Sequence, residues 1–232
     1  MSSPISYHTV AYVTLRLSKV HTVAYGYDDR EKAMTEKAKD LSRDDWVLAA
    51  LAALVEGGIG AVRVERLAKA LKVSKGSFYW HFSDRPDLLS ALLDLWERDF
   101  TAQLIANAAD LPTPRQRLLA VADEALEANM GGVDVARAEG AFSAWAALDP
   151  AAAVRVRAVE AQRVDYLVGE LSLIGASVRD AQSLARGVYL ALLGVYAARR
   201  YNPELAQDSV FRHVVELVLD AAGRRHGAEA EP

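Results

Sequence analysis

The stretch Val73-Ser-Lys-Gly-Ser-Phe-Tyr-Trp-His-Phe82 decides the fold, because it concentrates aromatic rings directly after a Ser-Lys-Gly start. Four of its ten residues are Phe, Tyr or Trp, whereas the 232-residue chain holds only 5 Phe, 9 Tyr and 4 Trp. Ser74 is a natural helix N-cap, and Phe78 and Phe82 are four residues apart, so they share one helix face. We expect that face to be core. The outward face then carries Ser77, Tyr79 and Trp80.

A second short helix precedes this stretch. Its apolar residues recur at i, i+3, i+4 and i+7: Val64, Leu67, Ala68 and Leu71. Only Lys72-Val73 separates it from the cap at Ser74. Two short helices joined by so tight a turn cross steeply, which is the helix-turn-helix arrangement. The second helix of that motif enters the major groove of DNA.

The local charge supports a nucleic-acid surface. Between Arg63 and Arg85 there are six Lys or Arg against two acids, a net charge of +4, whereas the whole chain is net -4. Gly76 lets the helix N-terminus approach phosphate closely, and Lys75 adds charge there. The side chains that follow donate hydrogen bonds to phosphate or pack on sugars. These are Tyr79, Trp80 and His81.

Residues 42–104 resemble the DNA-binding domain of the TetR (TetR/AcrR) family of bacterial transcriptional regulators. The resemblance is carried by Leu67-Ala-Lys-Ala-Leu-Lys-Val-Ser-Lys-Gly-Ser-Phe-Tyr-Trp-His-Phe82 and by the following Leu88-Leu89. It implies a homodimer in which each subunit joins a three-helix head to a larger helical body for ligand binding and dimerisation. It also implies the DNA contacts, by position in the motif: Arg63, Ser74, Lys75, Gly76, Ser77, Tyr79, Trp80, His81 and Arg85.

Two positions depart from the family pattern. Arg63 stands where the family has a Thr or Ser that caps the first helix of the motif, so we expect that cap to be lost. Lys72 stands where the family has Gly, so an unchanged turn requires Lys72 to adopt a positive φ.

The pattern beyond residue 40 predicts an all-α protein of about nine helices. We expect a helix-turn-helix domain at 41–100, a ligand-binding and dimerisation domain at 101–225 and a frayed tail at 226–232. We expect residues 1–40 to form a disordered N-terminal extension, in which His-Thr-Val-Ala-Tyr is repeated at 8–12 and 21–25. Either this extension is a basic arm that reaches DNA, or Met34 is the true start and the repeat is translated operator DNA.

The body offers aromatic residues that could line a ligand pocket, although ordinary core packing is the competing interpretation for each of them. The candidates are Trp96, Phe100, Phe142, Trp145, Tyr166 and Tyr189. Gln162, Arg137 and Glu139 are candidate polar anchors, although a solvated helix face is the competing interpretation for them. A stripe of small residues would let two helices approach closely, either between subunits or within one. It comprises Gly187, Ala191, Gly194 and Ala198.

The composition narrows the function. The chain has no Cys, which excludes disulfides, thiolate zinc sites and a Cys nucleophile. No catalytic or metal-binding motif is present, so we expect no enzyme and no cofactor or metal. The longest apolar runs are short and broken by charge, so we expect no membrane span. The lack of Cys suits a reducing cytoplasm, where we expect the protein to be located. The preferred interpretation is a repressor that binds double-stranded DNA as a homodimer and is released by a small apolar or aromatic effector. The alternatives are an architectural DNA binder without an effector and a helical enzyme.

Overall fold

The computed structural model describes residues 41–127, 129–130 and 132–224, and within these ranges the protein is all-α, as predicted. The predicted extension at 1–40 and tail at 226–232 lie outside the described residues. The helices are α1 Arg43–Gly57, α2 Val64–Leu71, α3 Lys75–Tyr79, α4 Arg85–Ala108, α5 Pro114–Glu127, α6 Val135–Ala146, α7 Pro150–Ile174, α8 Val178–Arg199 and α9 Asp208–Arg224.

The head consists of α1, α2 and α3, and its helix ends follow local sequence signals. Ser42 and Asp45 form a capping box at the start of α1: the Ser42 Oγ accepts from the Asp45 amide and the Asp45 carboxylate accepts from the Ser42 amide. Arg63 precedes α2 without any side-chain cap, as predicted. Lys72 ends α2 in the left-handed region, with φ 58° and ψ 43°, which confirms the expected positive φ.

Helix α4 runs out of the head and along the body. The Asp84 carboxylate caps it by accepting from the Asp87 amide at 2.9 Å, and its first segment, Arg85–Glu97, packs on α1. The second segment, Arg98–Ala102, is a π-helical turn, and the third, Gln103–Ala108, is α-helical again. One continuous helix therefore connects the DNA-binding motif to the interior of the body.

The body is a bundle of α5 to α9. A hairpin that the sequence pattern did not predict joins α5 to α6: β1 Asn129–Met130 pairs antiparallel with β2 Val133–Asp134. Gly132 adopts φ 82° in the connecting turn, a conformation that glycine adopts at little cost. No helix in the part of the chain described by the structure is long and apolar enough to span a membrane.

The core divides into two apolar clusters. The larger one begins in the head at Trp46 and continues through α4, α6 and α7. The smaller one lies within the body, where α5, α7, α8 and α9 pack around Phe211 and Leu219. Because the larger cluster includes residues on both sides of residue 100, the proposed domain boundary there cuts through shared packing and stays a prediction.

Candidate DNA-binding surface and body cavity

Helix α3 buries one face and presents the other to solvent. Phe78 and Phe82 are buried, with their rings stacked at 5.3 Å, and Phe78 also meets the Trp46 ring edge-on at 5.3 Å. The side chain of Tyr79 is 63% exposed and that of Trp80 is 86% exposed. Tyr79 meets the Phe78 ring edge-on at 5.2 Å, but most of the Tyr79 and Trp80 side-chain surface faces solvent, so this face is suited to contact another molecule.

The residues predicted to contact DNA differ in how far they are exposed to solvent. His81 and Arg85 are half-buried. Ser77 is only 2% exposed, so the prediction that it faces outward is wrong. The reason is that α3 packs across α2, and a helix of barely more than one turn has little surface that escapes this crossing. The contacts that are exposed are Arg63, Ser74, Lys75, Gly76, Tyr79 and Trp80.

Two basic side chains of this surface have partners within the head. The Lys75 ammonium donates to the Glu65 carboxylate at 2.6 Å, and this bond holds the pKa of Glu65 below its ordinary value. The Arg63 Nε donates to the Gly60 carbonyl at 2.9 Å. Both groups are exposed, so exchanging these partners for phosphate costs little desolvation.

Arg85 has a role inside the head that the sequence pattern did not indicate. Its Nε donates to the Val62 carbonyl at 2.6 Å, and a terminal nitrogen donates to the Ile59 carbonyl at 2.8 Å. These bonds fasten the first residue of α4 to the turn between α1 and α2. The turn is too far away in sequence for any local pattern to predict the pairing.

Gly76 is open to its surroundings. A Cβ atom built on it would meet only the Ser74 Oγ, at 3.5 Å, which is an ordinary van der Waals distance. The head itself therefore does not require glycine at this position. A close approach of an external molecule to this backbone would require glycine there.

The body contains an apolar cavity of about 90 Å³ between α4, α5, α6, α7, α8 and α9. Phe100, Tyr166 and Tyr189 line it, as three of the six pocket candidates. The other three do not: the Trp96 ring stacks on Phe142 at 4.9 Å, and Phe142 lies 6.3 Å from Trp145. Those three rings are core packing, because their helices α4 and α6 meet there.

A buried polar network forms one wall of this cavity, centred on Arg163. Its guanidinium donates to the Glu139 carboxylate at 2.8 Å, the Thr101 hydroxyl at 2.8 Å, the Phe100 carbonyl at 3.3 Å and the Tyr189 hydroxyl at 3.3 Å. The same Glu139 oxygen accepts from the indole N–H of Trp96 at 2.9 Å. Thr101 and Phe100 belong to the π-helical turn, so the network ties that turn to α6, α7 and α8.

Burial and the neighbouring charges determine the protonation states of Arg163 and Tyr189. Burial lowers the pKa of Arg163, but the adjacent Glu139 carboxylate outweighs burial and leaves the pKa above its ordinary value. Burial raises the pKa of Tyr189 to about 12. The Arg163 guanidinium therefore stays charged at neutral pH, and the Tyr189 hydroxyl stays neutral. Arg163 was missed by sequence reasoning because its partners lie 24 or more residues away.

A second tyrosine, Tyr166, is among the residues that line the cavity. The Tyr166 hydroxyl is buried and makes no hydrogen bond to the described residues. The nearby Arg117 donates to both Glu170 oxygens at 3.0 Å and to the Leu111 carbonyl at 2.8 Å, so its bonds go elsewhere. Burial raises the pKa of Tyr166, and its hydroxyl therefore keeps its proton at neutral pH.

The basic, aromatic outer face of a helix-turn-helix, carried on a helical body with an internal cavity, is the construction of a DNA-binding regulator. Residues 47–92 match the family model described as "Bacterial regulatory proteins, tetR family". This match covers most of α1, both helices of the helix-turn-helix motif and the start of α4.

Solved structures of the same fold cover most of the chain. A TetR-family transcriptional regulator from Streptomyces coelicolor is 25% identical, with a TM-score of 0.67 over 82% of this chain and 97% of that one. A TetR transcriptional regulator from Legionella pneumophila is 20% identical, with a TM-score of 0.65 over 77% and 98%. A protein from Saccharomonospora viridis, solved in complex with choline, is 15% identical, with a TM-score of 0.66 over 77% and 95%.

Proposed function

We propose that this protein is a ligand-responsive transcriptional repressor, which binds a palindromic operator as a homodimer in the cytoplasm and is released by a small effector. The observation that carries this proposal is the continuity of α4. The helix starts against the DNA-binding motif and ends in the cavity wall, to which it contributes Phe100, Thr101, Leu104 and Ile105. An occupant of the cavity therefore touches the same helix that positions the head.

The proposed response requires the effector to favour one arrangement of α4 over another, because only differential affinity shifts such an equilibrium. The contacts of α4 provide the means. Arg155 on α7 bonds to Asp94 at 2.7 Å and to Glu97 at 2.9 Å, and Arg163 on the same helix bonds to Thr101. A displacement of α7 by an occupant is thus passed to α4 on both sides of the π-helical turn.

The proposed DNA surface is the exposed side of α3 together with the start of α2. It comprises Arg63, Ser74, Lys75, Gly76, Tyr79, Trp80 and His81. In support, Lys75 and Arg63 can exchange their surface partners for phosphate, and the exposed Tyr79 side chain can donate its hydroxyl to it. We do not include Ser77, which is buried, and we assign Arg85 first to holding the turn before α2.

The proposed subunit interface is the outer face of α8 and α9. Large apolar side chains are exposed on it, including Leu190 at 66% and Leu217 at 51%. A Cβ atom added at Gly187 or Gly194 would meet nothing within 4 Å, so these positions of the small-residue stripe leave room for a second helix. Ala198, the last member of the stripe, is buried within the subunit and does not belong to this face.

The test has two parts. Footprinting on the DNA next to the protein's own coding sequence should show a protected palindrome, and a compound screen should find molecules that release it. Gly194→Leu should give a monomer in sedimentation and lose operator affinity. Gly169→Leu is the matched control, because Gly169 is also helical and also has open space at its Cβ. A dimeric Gly194→Leu protein with normal affinity would refute the interface, and the absence of any releasing compound would refute the effector.

A further inference from the structure

We infer that Arg85 is a positioning residue for DNA recognition: it sets the orientation of α2 through the turn before that helix, and its guanidinium stays on this turn instead of contacting a phosphate. The inference rests on the proposed function, because it names the side chain through which α4 acts on the DNA-binding helices. It departs from the role that the position of Arg85 in the motif implies, which is contact with DNA.

The guanidinium of Arg85 is committed to the backbone. Its Nε donates to the Val62 carbonyl at 2.6 Å and a terminal nitrogen donates to the Ile59 carbonyl at 2.8 Å, and the side chain is half-buried. Because the donors of a guanidinium lie in one rigid plane, a swing towards a phosphate would break both bonds together. Lys75 differs, since its single partner, the exposed Glu65 carboxylate, can be exchanged for phosphate at little cost.

The turn that Arg85 holds determines where α2 begins. Ile59–Ala61 form a single 3₁₀-helical turn, Val62 after it is buried, and Arg63 then precedes α2. No side chain caps the start of α2, so its N-terminus lacks the local bond that usually fixes a helix start. The two bonds from Arg85 hold the chain just before this start. Because α3 packs on α2, the exposed face of α3 takes its orientation from the same contact.

Arg85 also lies near the start of α7, the helix that carries Arg163 into the cavity wall. Asp149 caps this helix by accepting from the Ala151 amide at 2.9 Å. Bonds from the Trp145 indole and the Ala151 amide lower the pKa of Asp149, and the positive charge of Arg85 adds to this effect. The starts of α4 and α7 and the turn before α2 therefore lie near one another at Arg85. A movement of α4 relative to α7 reaches the head at this side chain.

The test compares Arg85→Lys and Arg85→Gln with the wild type, using the full-length protein and fluorescence anisotropy on two duplexes. One duplex carries the footprinted operator and the other has a random sequence, and each is titrated at salt concentrations from about 50 to 200 mM. Lysine keeps the charge but has no planar fork that bonds two carbonyls. Both variants should therefore bind the operator about tenfold more weakly, the value of one hydrogen bond to a charged group. Binding to the random duplex and the salt dependence on both duplexes should stay close to the wild-type values.

Arg66→Lys is the matched control. It makes the same exchange at an exposed arginine of α2, whose partner is the exposed Glu56 carboxylate at 3.8 Å. This variant should bind both duplexes as the wild type does. A loss of operator preference in Arg66→Lys equal to that in Arg85→Lys would overturn the inference, because the loss would not depend on the turn before α2.

Hydrogen exchange without DNA separates positioning from a general loss of stability. In Arg85→Lys the amides of α2 should exchange faster than in the wild type, while the amides of α9, in the body, keep their protection. Unchanged exchange in α2 would overturn the inference. Equal acceleration in α2 and α9 would also overturn it, because it would show that Arg85 stabilises the whole fold and not the position of α2.

The DNA measurements also show which hypothesis fails. If Arg85 contacts a phosphate, Arg85→Lys should bind both duplexes as the wild type does, whereas Arg85→Gln should weaken both and reduce the salt slope by about 0.9. That result would refute the positioning role and leave the proposed function intact. If the wild type itself does not prefer the operator over the random duplex, the proposed function fails and the inference fails with it.

Discussion

Replacing Lys72 with glycine should stabilise the protein, because Lys72 is the one non-glycine residue with positive φ among those the structure describes. The left-handed conformation costs an L-residue with a Cβ about 1–2 kcal/mol. Glycine avoids this cost but loses more backbone entropy on folding, by about 0.5–1 kcal/mol. The difference predicts a net gain of about 0.5–1 kcal/mol in the free energy of unfolding for Lys72→Gly.

The side chain of Lys72 does not complicate this estimate, since it is exposed and forms no ion pair or hydrogen bond to the described residues. Lys72→Ala is the matched control: it removes the same charge but keeps the Cβ. Chemical denaturation should rank Lys72→Gly above both wild type and Lys72→Ala. In thermal unfolding a gain of 1 kcal/mol corresponds to about 2–4 °C for a chain of this size.

DNA binding separates the two roles of this position. Both variants lose one positive charge beside the proposed interface, so they should lose the same amount of operator affinity and the same part of its salt dependence. A Lys72→Gly protein that is no more stable than Lys72→Ala would refute the reasoning, because it would show that the turn is not strained by the Cβ.

The remaining predictions concern the head. Tyr79→Phe should weaken binding to any DNA by about 1–2 kcal/mol without changing sequence preference, measured by fluorescence anisotropy on specific and random duplexes; equal affinities would remove this hydroxyl from the interface. Gly76→Ala should leave unfolding unchanged or raise its free energy by up to about 1 kcal/mol, yet weaken operator binding; unchanged binding would show that DNA does not approach this backbone. Glu65→Gln should tighten DNA binding and steepen its salt dependence, because it frees Lys75, and the effect should vanish in a Lys75→Ala background. The backbone N–H of Ser83 donates to the Asp87 carboxylate and lowers the pKa of Asp87. The contribution of Asp87 to stability should therefore be complete above its ordinary pKa of 3.8, and it should be lost as the pH falls through the lower pKa of the folded state. Asp87→Asn should lack this acid-dependent loss in urea titrations at several pH values.

The head could be predicted because its determinants are local. The turn at Lys72, the cap at Ser42 and the pairing of Phe78 with Phe82 each depend on residues no more than four apart. Ser77 shows where this reasoning fails. Its exposure depends on how α3 crosses α2, and a five-residue helix is too short for periodicity to separate a covered side from an open one.

The packing of the body could not be predicted, because the residues that contact one another there are distant in sequence. Its helices could be anticipated from their start and stop signals, but nothing local distinguishes Phe100 and Tyr189, which line the cavity, from Trp96 and Phe142, which stack in the core. The hairpin between α5 and α6 was missed because two-residue strands are too short to show alternation.

The contacts of Arg163 indicate why a charged side chain with a high desolvation cost occurs in an apolar body. A guanidinium of this kind adds little net stability compared with a well-packed apolar side chain, so stability alone is a weak reason for its presence. It joins α7 to the π-helical turn of α4 through Thr101 and the Phe100 carbonyl, and to α6 and α8 through Glu139 and Tyr189. A purely apolar contact would tolerate small sliding between these helices, whereas directional bonds hold one arrangement and fail together when it changes. Such a junction suits a helix whose position at the cavity has to determine the position of the head.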